Sequence, residues 1–228
     1  MTATSEFYSE LIERLKKSSL LGSCSAVLGW DEQVNLPQAG SEHRAEQLAL
    51  LAGMTHEQAT HPRIGELLSE LEAADDLVDE SSTAQINVKH ARRSYNRDTK
   101  LPQQLVEELS RVTTLSQQAW VEARKDSDYS AFEPWLTKAL NLKREEAEAI
   151  GYGDGQPYDA LLDDYEPGAT AASIQAAFNP LRDELVPLVA AIRESGRKPD
   201  TTIITRSYPV DAQRQLGIEA ATAIGFCF

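Results

Sequence analysis

The chain has 228 residues, 22 Lys and Arg against 36 Asp and Glu, and a formal net charge of -14. That length is enough for a buried core, and so negative a surface repels polyanions, which excludes nucleic acid and anionic membrane as principal partners. No apolar run approaches the roughly 20 residues that span a bilayer, and Met1–Glu6 lacks the basic-then-apolar pattern of a secretory signal, so the expected setting is the cytoplasm.

In chain order the sequence reads as helix after helix. Gly29 and Gly53 are expected helix stops, with Ala45, Leu48, Ala49 and Ala52 forming an apolar stripe between them. Thr55-His56-Glu57-Gln58 fits a capping box and predicts a helix start. Ile64, Leu67, Leu68 and Leu71 follow at i, i+3, i+4, i+7 spacing, the mark of an amphipathic helix. Asp75, Asp76, Asp79 and Glu80 read as a solvated acidic loop. Leu105, Leu109, Val112, Ala119, Trp120 and Ala123 give a longer stripe, with Pro102 at a tolerated first-turn position. Ser130-Ala131-Phe132-Glu133 is a second capping box, and Gly151 a stop opening the loop to Gln156. Ile174, Ala177, Phe178, Leu181, Leu185, Leu188 and Ile192 form another stripe, in which Pro180 and Pro187 predict a kink or break; Gly196 ends it. Thr201–Thr205 is β-branched and is the one candidate strand. The fold expected is mostly α, a single helical region over 1–228, with no strand–helix alternation to suggest a parallel sheet. The end, Ala223–Phe228, is apolar, which suggests continuation of the chain or docking on a partner.

Chemistry-bearing residues are sparse. His56 and His61 resemble a zinc helix, but His-Glu-x-x-His needs i, i+4 spacing. At i+5 the rings sit roughly 140° apart around the axis, so one metal does not take both. His43 and His90 have no partner at ligand spacing. Cys24 and Cys227 read as reduced, buried thiols. Asp159, Asp163, Asp164 and Glu166 could bind a cation or line a cleft, or form a solvated helix end. Lys89, His90, Arg92 and Arg93, with Arg97 and Lys100, could recognise a carboxylate or pair with nearby acids.

Four segments in register resemble the carboxypeptidase Taq family of zinc metallocarboxypeptidases. They are Leu28-Gly29-Trp30-Asp31 through Pro37, with Arg44-Ala45-Glu46-Gln47; Trp120–Arg124 with Asp128–Leu136; Pro157-Tyr158-Asp159-Ala160-Leu161-Leu162-Asp163-Asp164-Tyr165-Glu166-Pro167-Gly168; and Gln213 to Gly225-Phe226. The resemblance implies a helical, cleft-forming peptidase that removes C-terminal residues from peptide substrates, usually as a homodimer. It also implies a zinc held by His-Glu-x-x-His and a later Glu, with the motif's Glu as general base. These elements lie beyond the step that reads here Gly225-Phe226-Cys227-Phe228. No catalytic or metal-binding residue therefore carries over, no zinc is expected on this chain, and the 228 residues are expected to be inactive alone. The resemblance leaves Trp30, Asp31, Tyr158 and Asp159 as candidate cleft-lining residues, with core and capping roles as the alternative. A helical binding module that kept the fold without the catalysis is the competing reading.

Overall fold

The computed structural model describes residues 3–74 and 82–228, and among them the chain is helical with no strand. The acidic run at 75–80 lies outside the described residues. Ten helices occur in these stretches: α1 Ala3–Val34, α2 Ser41–Ala59, α3 Pro62–Glu72, α4 Thr83–Asp98, α5 Gln103–Asp126, α6 Tyr129–Ile150, α7 Pro157–Leu162, α8 Ala171–Glu194, α9 Thr202–Thr205 and α10 Val210–Ala223. They gather into two compact units, residues up to Ser173 and Ile174–Phe228.

In the first unit α1 packs on α2 and α3, α2 on α5, α3 on α4, α5 on α6, and α6 on α7. The stripe expected at Ile64, Leu67, Leu68 and Leu71 is the centre of its core. All four are buried with Leu11 of α1 and Val88 of α4, and Phe7, Tyr8, Leu15, Ala91 and Tyr95 close the rim. A second cluster joins Leu105 and Val112 of α5 to Leu142 of α6, and a third joins Ala147 and Ile150 of α6 to Ala160 of α7. Ala45 and Ala49 of α2 are buried as their spacing predicts, but Trp120 faces solvent.

Helix ends follow local chemistry. Pro62 occupies the first turn of α3, where it has no amide to leave unpaired, and His61 Nδ1 accepts from Arg63 N. Ser82 caps α4 by accepting from Gln85 N. Gly151, at φ 79°, closes α6 as expected.

Several expected boundaries move. Gly29 and Gly53 lie inside α1 and α2. For Gly53 the reason is a close approach, since a Cβ there would meet the Glu107 carboxylate of α5 at 2.2 Å. Thr55–Gln58 is the end of α2 rather than a start, and the Thr55 hydroxyl donates back to the Leu51 carbonyl. Helix α6 begins earlier than its capping box suggests, because Asp128 accepts from Ser130 N. In the second unit α8 runs unbroken through Pro180 and Pro187. The candidate strand at 201–205 contains the short helix α9, whose Thr205 N donates to the Thr201 carbonyl. With no strand among the described residues to pair with, β-branching alone does not make a ladder. Both cysteines are exposed rather than buried.

Candidate functional site

The segments that carry the family resemblance are held by arginines. At the end of α1, Asp31 Oδ2 accepts from Arg44 Nη2 of α2 at 2.6 Å, and Asp31 Oδ1 accepts from Asn35 Nδ2 at 3.2 Å. Arg44 is 7% exposed. It also donates to the Leu28 carbonyl and, through Nε, to Gln47 Oε1 at 3.0 Å. One guanidinium thus ties the Gly-Trp-Asp turn of α1 to the Arg-Ala-x-Gln turn of α2. Arg44 and then Asn35 hold the Asp31 carboxyl below its usual range. Next to it, buried Glu32 is pushed the other way by desolvation, only partly offset by Arg44 and Gln118. Adjacent carboxylates around one buried cation are therefore separated in acidity by their surroundings. Trp30 points outward and is 62% exposed.

The other half of the candidate set lies on α7. Asp159 accepts from Gln156 N at 3.0 Å and from Ala171 N at 2.7 Å, so it completes the capping box of α7 and steadies the start of α8. Those two amides, Ala171 first, lower its pKa. Tyr158 is exposed. The two pairs have separate settings: Asp31 is fastened to α2, whereas Asp159 works within the α7–α8 turn.

The acidic cluster and the basic run, read separately from sequence, are partners of each other. Arg93 of α4 meets the Asp163 carboxylate at 2.6 Å and donates to the Asp163 carbonyl. Arg97 meets Asp164 at 2.7 Å and Glu146 at 3.5 Å, and donates to the Ala160 carbonyl. Lys100 donates to the Ile150 carbonyl. Asp163 also accepts from Gly168 N, closing the Asp163–Gly168 loop on itself. A groove of about 410 Å³ runs along this face, bordered by Lys89, Arg93, Arg97, Lys100 and Ile150. Its arginines are already paired with carboxylates, Arg92 with Glu72, Arg93 with Asp163 and Arg97 with Asp164, so they are not an open anion trap.

Residues 10–228 match the family model described as Carboxypeptidase Taq (M32) metallopeptidase. The chain belongs to this family. It is 38% identical over 227 residues to Thermostable carboxypeptidase 1 of Thermus thermophilus, covering 96% of this chain and 44% of that protein. To Carboxypeptidase 1 of Bacillus subtilis it is 33% identical over 220 residues, covering 96% and 43%. Among solved structures, the crystal structure of M32 carboxypeptidase from Deinococcus radiodurans superposes with a TM-score of 0.74 at 31% identity, covering 98% of this chain and 44% of that one. The chain therefore spans less than half the length of these M32 relatives.

A metallopeptidase family implies a metal, and the described residues form no site that fits one. Among the described residues no group of three or more His, Cys, Asp or Glu side chains is placed to hold an ion. His56, near the end of α2, has Nε2 3.0 Å from the carbonyl of Asp98 at the end of α4, and His61 is spent capping α3. His43 and His90 are exposed. Among the described residues no helix is long and apolar enough to cross a membrane. Sequence reading placed Arg44 in a motif but missed its burial and its Asp31 partner. Pairing of the basic run with acids was one of its two readings, and the structure bears that one out; what it did not give is the partners, Asp163 for Arg93 and Asp164 for Arg97, about 70 residues away.

Proposed function

We propose that these residues form the helical amino-terminal portion of a metal-dependent carboxypeptidase that removes C-terminal residues from peptides, with zinc as its metal. The observation that carries this reading is the match of residues 10–228 to the M32 model. In it, the Arg44-tied helices α1 and α2 and the Arg93- and Arg97-held loop act as rigid supports. The chemistry belongs to residues outside this stretch. Metal chemistry of this class lowers the pKa of a bound water and polarises the scissile carbonyl, and nothing in residues 1–228 supplies a His-Glu-x-x-His. The 228-residue chain alone is therefore inactive.

The test joins residues 1–228 to the part of the Thermus thermophilus enzyme outside its matched 44%. The chimera is expected to hydrolyse a blocked dipeptide in a zinc-dependent manner, and the 228-residue chain is expected to show no turnover above buffer. A folded, zinc-loaded chimera without activity would overturn the carboxypeptidase reading. Turnover by the short chain would overturn the claim that it is inactive alone.

A further inference from the structure

Only Leu11 and Glu32 are buried on α1, and Glu32 is 9% exposed. A helix ordinarily buries its apolar face, so a carboxyl group in that position needs a partner. Its neighbour Asp31 has taken the nearby cation. Arg44 donates from each of its three guanidinium nitrogens, through Nε to Gln47, through Nη1 to the Leu28 carbonyl and through Nη2 to Asp31. None of these bonds goes to Glu32, which senses Arg44 only as a charge. Asp31 and Arg44 cancel each other, so an ionised Glu32 leaves a buried negative charge uncompensated.

The group that does hydrogen-bond Glu32 is the Gln118 amide of α5, one turn beyond the buried Thr114. Both α1 and α5 pack on α2, so this pair links two helices that share a neighbour. The other titratable groups around the junction are accounted for. On α2, Glu42 and His43 are exposed and Glu46 pairs with Arg111. On α5, Arg111 also pairs with Glu108, and Glu122 with Lys125. A carboxylate only accepts, so it takes an N–H from Gln118 but gives the amide oxygen no donor. A carboxylic acid does both: its O–H meets the amide oxygen while its carbonyl accepts the amide N–H, closing a two-bond ring. Taking up one proton from solvent thus removes the buried charge and completes the pair.

We infer that Glu32 is a proton-binding site and that the bound proton latches α1 to α5 through Gln118. The latch is closed in acid and slack in alkali. Burial raises the folded carboxyl above its usual 4.5. Such a group costs stability above its folded pKa and ceases to cost it as pH falls below the unfolded one. What the latch steadies is the end of α1, where Trp30 and Asp31 stand.

The experiment compares the 228-residue chain with Glu32→Gln, whose amide is neutral at every pH and pairs with Gln118 in the same two-bond manner. At about pH 8 the variant is expected to melt about 2–4 °C above the parent. It is also expected to protect the amides of residues 28–34 more strongly from hydrogen exchange. Both differences are expected to close by about pH 4, below the unfolded carboxyl pKa. Infrared titration is expected to show an acid carbonyl band that persists above pH 4.5 in the parent and is missing in Glu32→Gln. Gln118→Met is expected to cancel the gain in protection, which relief of desolvation alone would not do; circular dichroism checks that each variant keeps the helix content of the parent. A Glu32→Gln chain no more stable than the parent in alkali, or a gap that stays constant into acid, would overturn the proton site. A gain in protection that survives Gln118→Met would overturn the latch.

Discussion

Arg44 reaches from α2 to Asp31 on α1 at 2.6 Å while donating to the Leu28 carbonyl one turn earlier. This single side chain fixes how the end of α1 meets α2. Charged hydrogen bonds from a buried donor are costly to remove, because their acceptors stay desolvated.

Arg44→Met is therefore expected to destabilise the first unit by about 1–3 kcal/mol, the usual range for orphaning buried polar groups. Asp31→Asn keeps one acceptor for Arg44, and Asp31 is partly exposed, so its effect is expected to be smaller. Urea unfolding followed by circular dichroism orders the two; an Arg44→Met chain as stable as the parent would sink the assignment.

Gly65 of α3 faces Tyr95 of α4 so closely that an added Cβ would meet the phenol oxygen at 2.7 Å and ring carbons at 2.9 Å. Alanine is the better helix former by about 1 kcal/mol, yet overpacking commonly costs about 1–3 kcal/mol. The packing term is expected to win, so Gly65→Ala lowers stability. In a Tyr95→Ala background the space is free, and the same substitution is expected to become neutral or stabilising. An additive cycle would contradict this.

Leu68 and Leu185 sit in stripes of the same period, one buried and one 45% exposed. Leu68→Ala is expected to cost about 2–5 kcal/mol, and Leu185→Ala to stay within about 0.5 kcal/mol in this chain. Thermal melts of the two variants decide it. This pair also marks how far the sequence was legible. Periodicity showed that α3 and α8 each have an apolar face, but only the partner helix decides burial, and Leu11 and Val88 come from distant segments. Cap and stop signals were readable where the backbone itself demands them, as at Gly151, and misleading at Gly53, where a neighbouring helix set the requirement. The arginine anchors escaped for the same reason: Arg44 and Asp31 are 13 residues apart, Arg93 and Asp163 are 70. Local patterns do not encode such pairs.

The two thiols give a direct check on surface exposure. Cys24 lies on the α1 face beside Met54 of α2, and Cys227 near the end of the chain; both are exposed. Two equivalents of thiol are expected to react with an aromatic disulfide reagent without denaturant. Reaction of only one, or of neither until the chain is unfolded, would return the missing thiol to the interior.

Acid sensitivity has a definite sign at the α1–α3 contact. Glu10 accepts from Arg63 through both carboxylate oxygens, at 3.1 and 2.8 Å, and from Arg14 at 3.1 Å. These donors, Arg63 first, lower its pKa from 4.5 to about 2. A depressed carboxyl contributes stability that is fully present above its unfolded pKa and is lost as pH falls through the folded value. The contribution is thus complete at pH 6, shrinks below 4.5, and is gone below about 2. Glu32 and Asp98 act in the opposite direction, since burial raises both and their protonation relieves desolvation as pH falls. Whole-chain acid unfolding sums all of these, so the informative quantity is the difference between the parent and Glu10→Gln. That difference is expected at pH 6, to narrow through pH 3, and to vanish near pH 2. Salt should reduce it at every pH, because the pair is partly exposed. A gap of constant size across that window would mean that the side chain matters for packing and not for its charge.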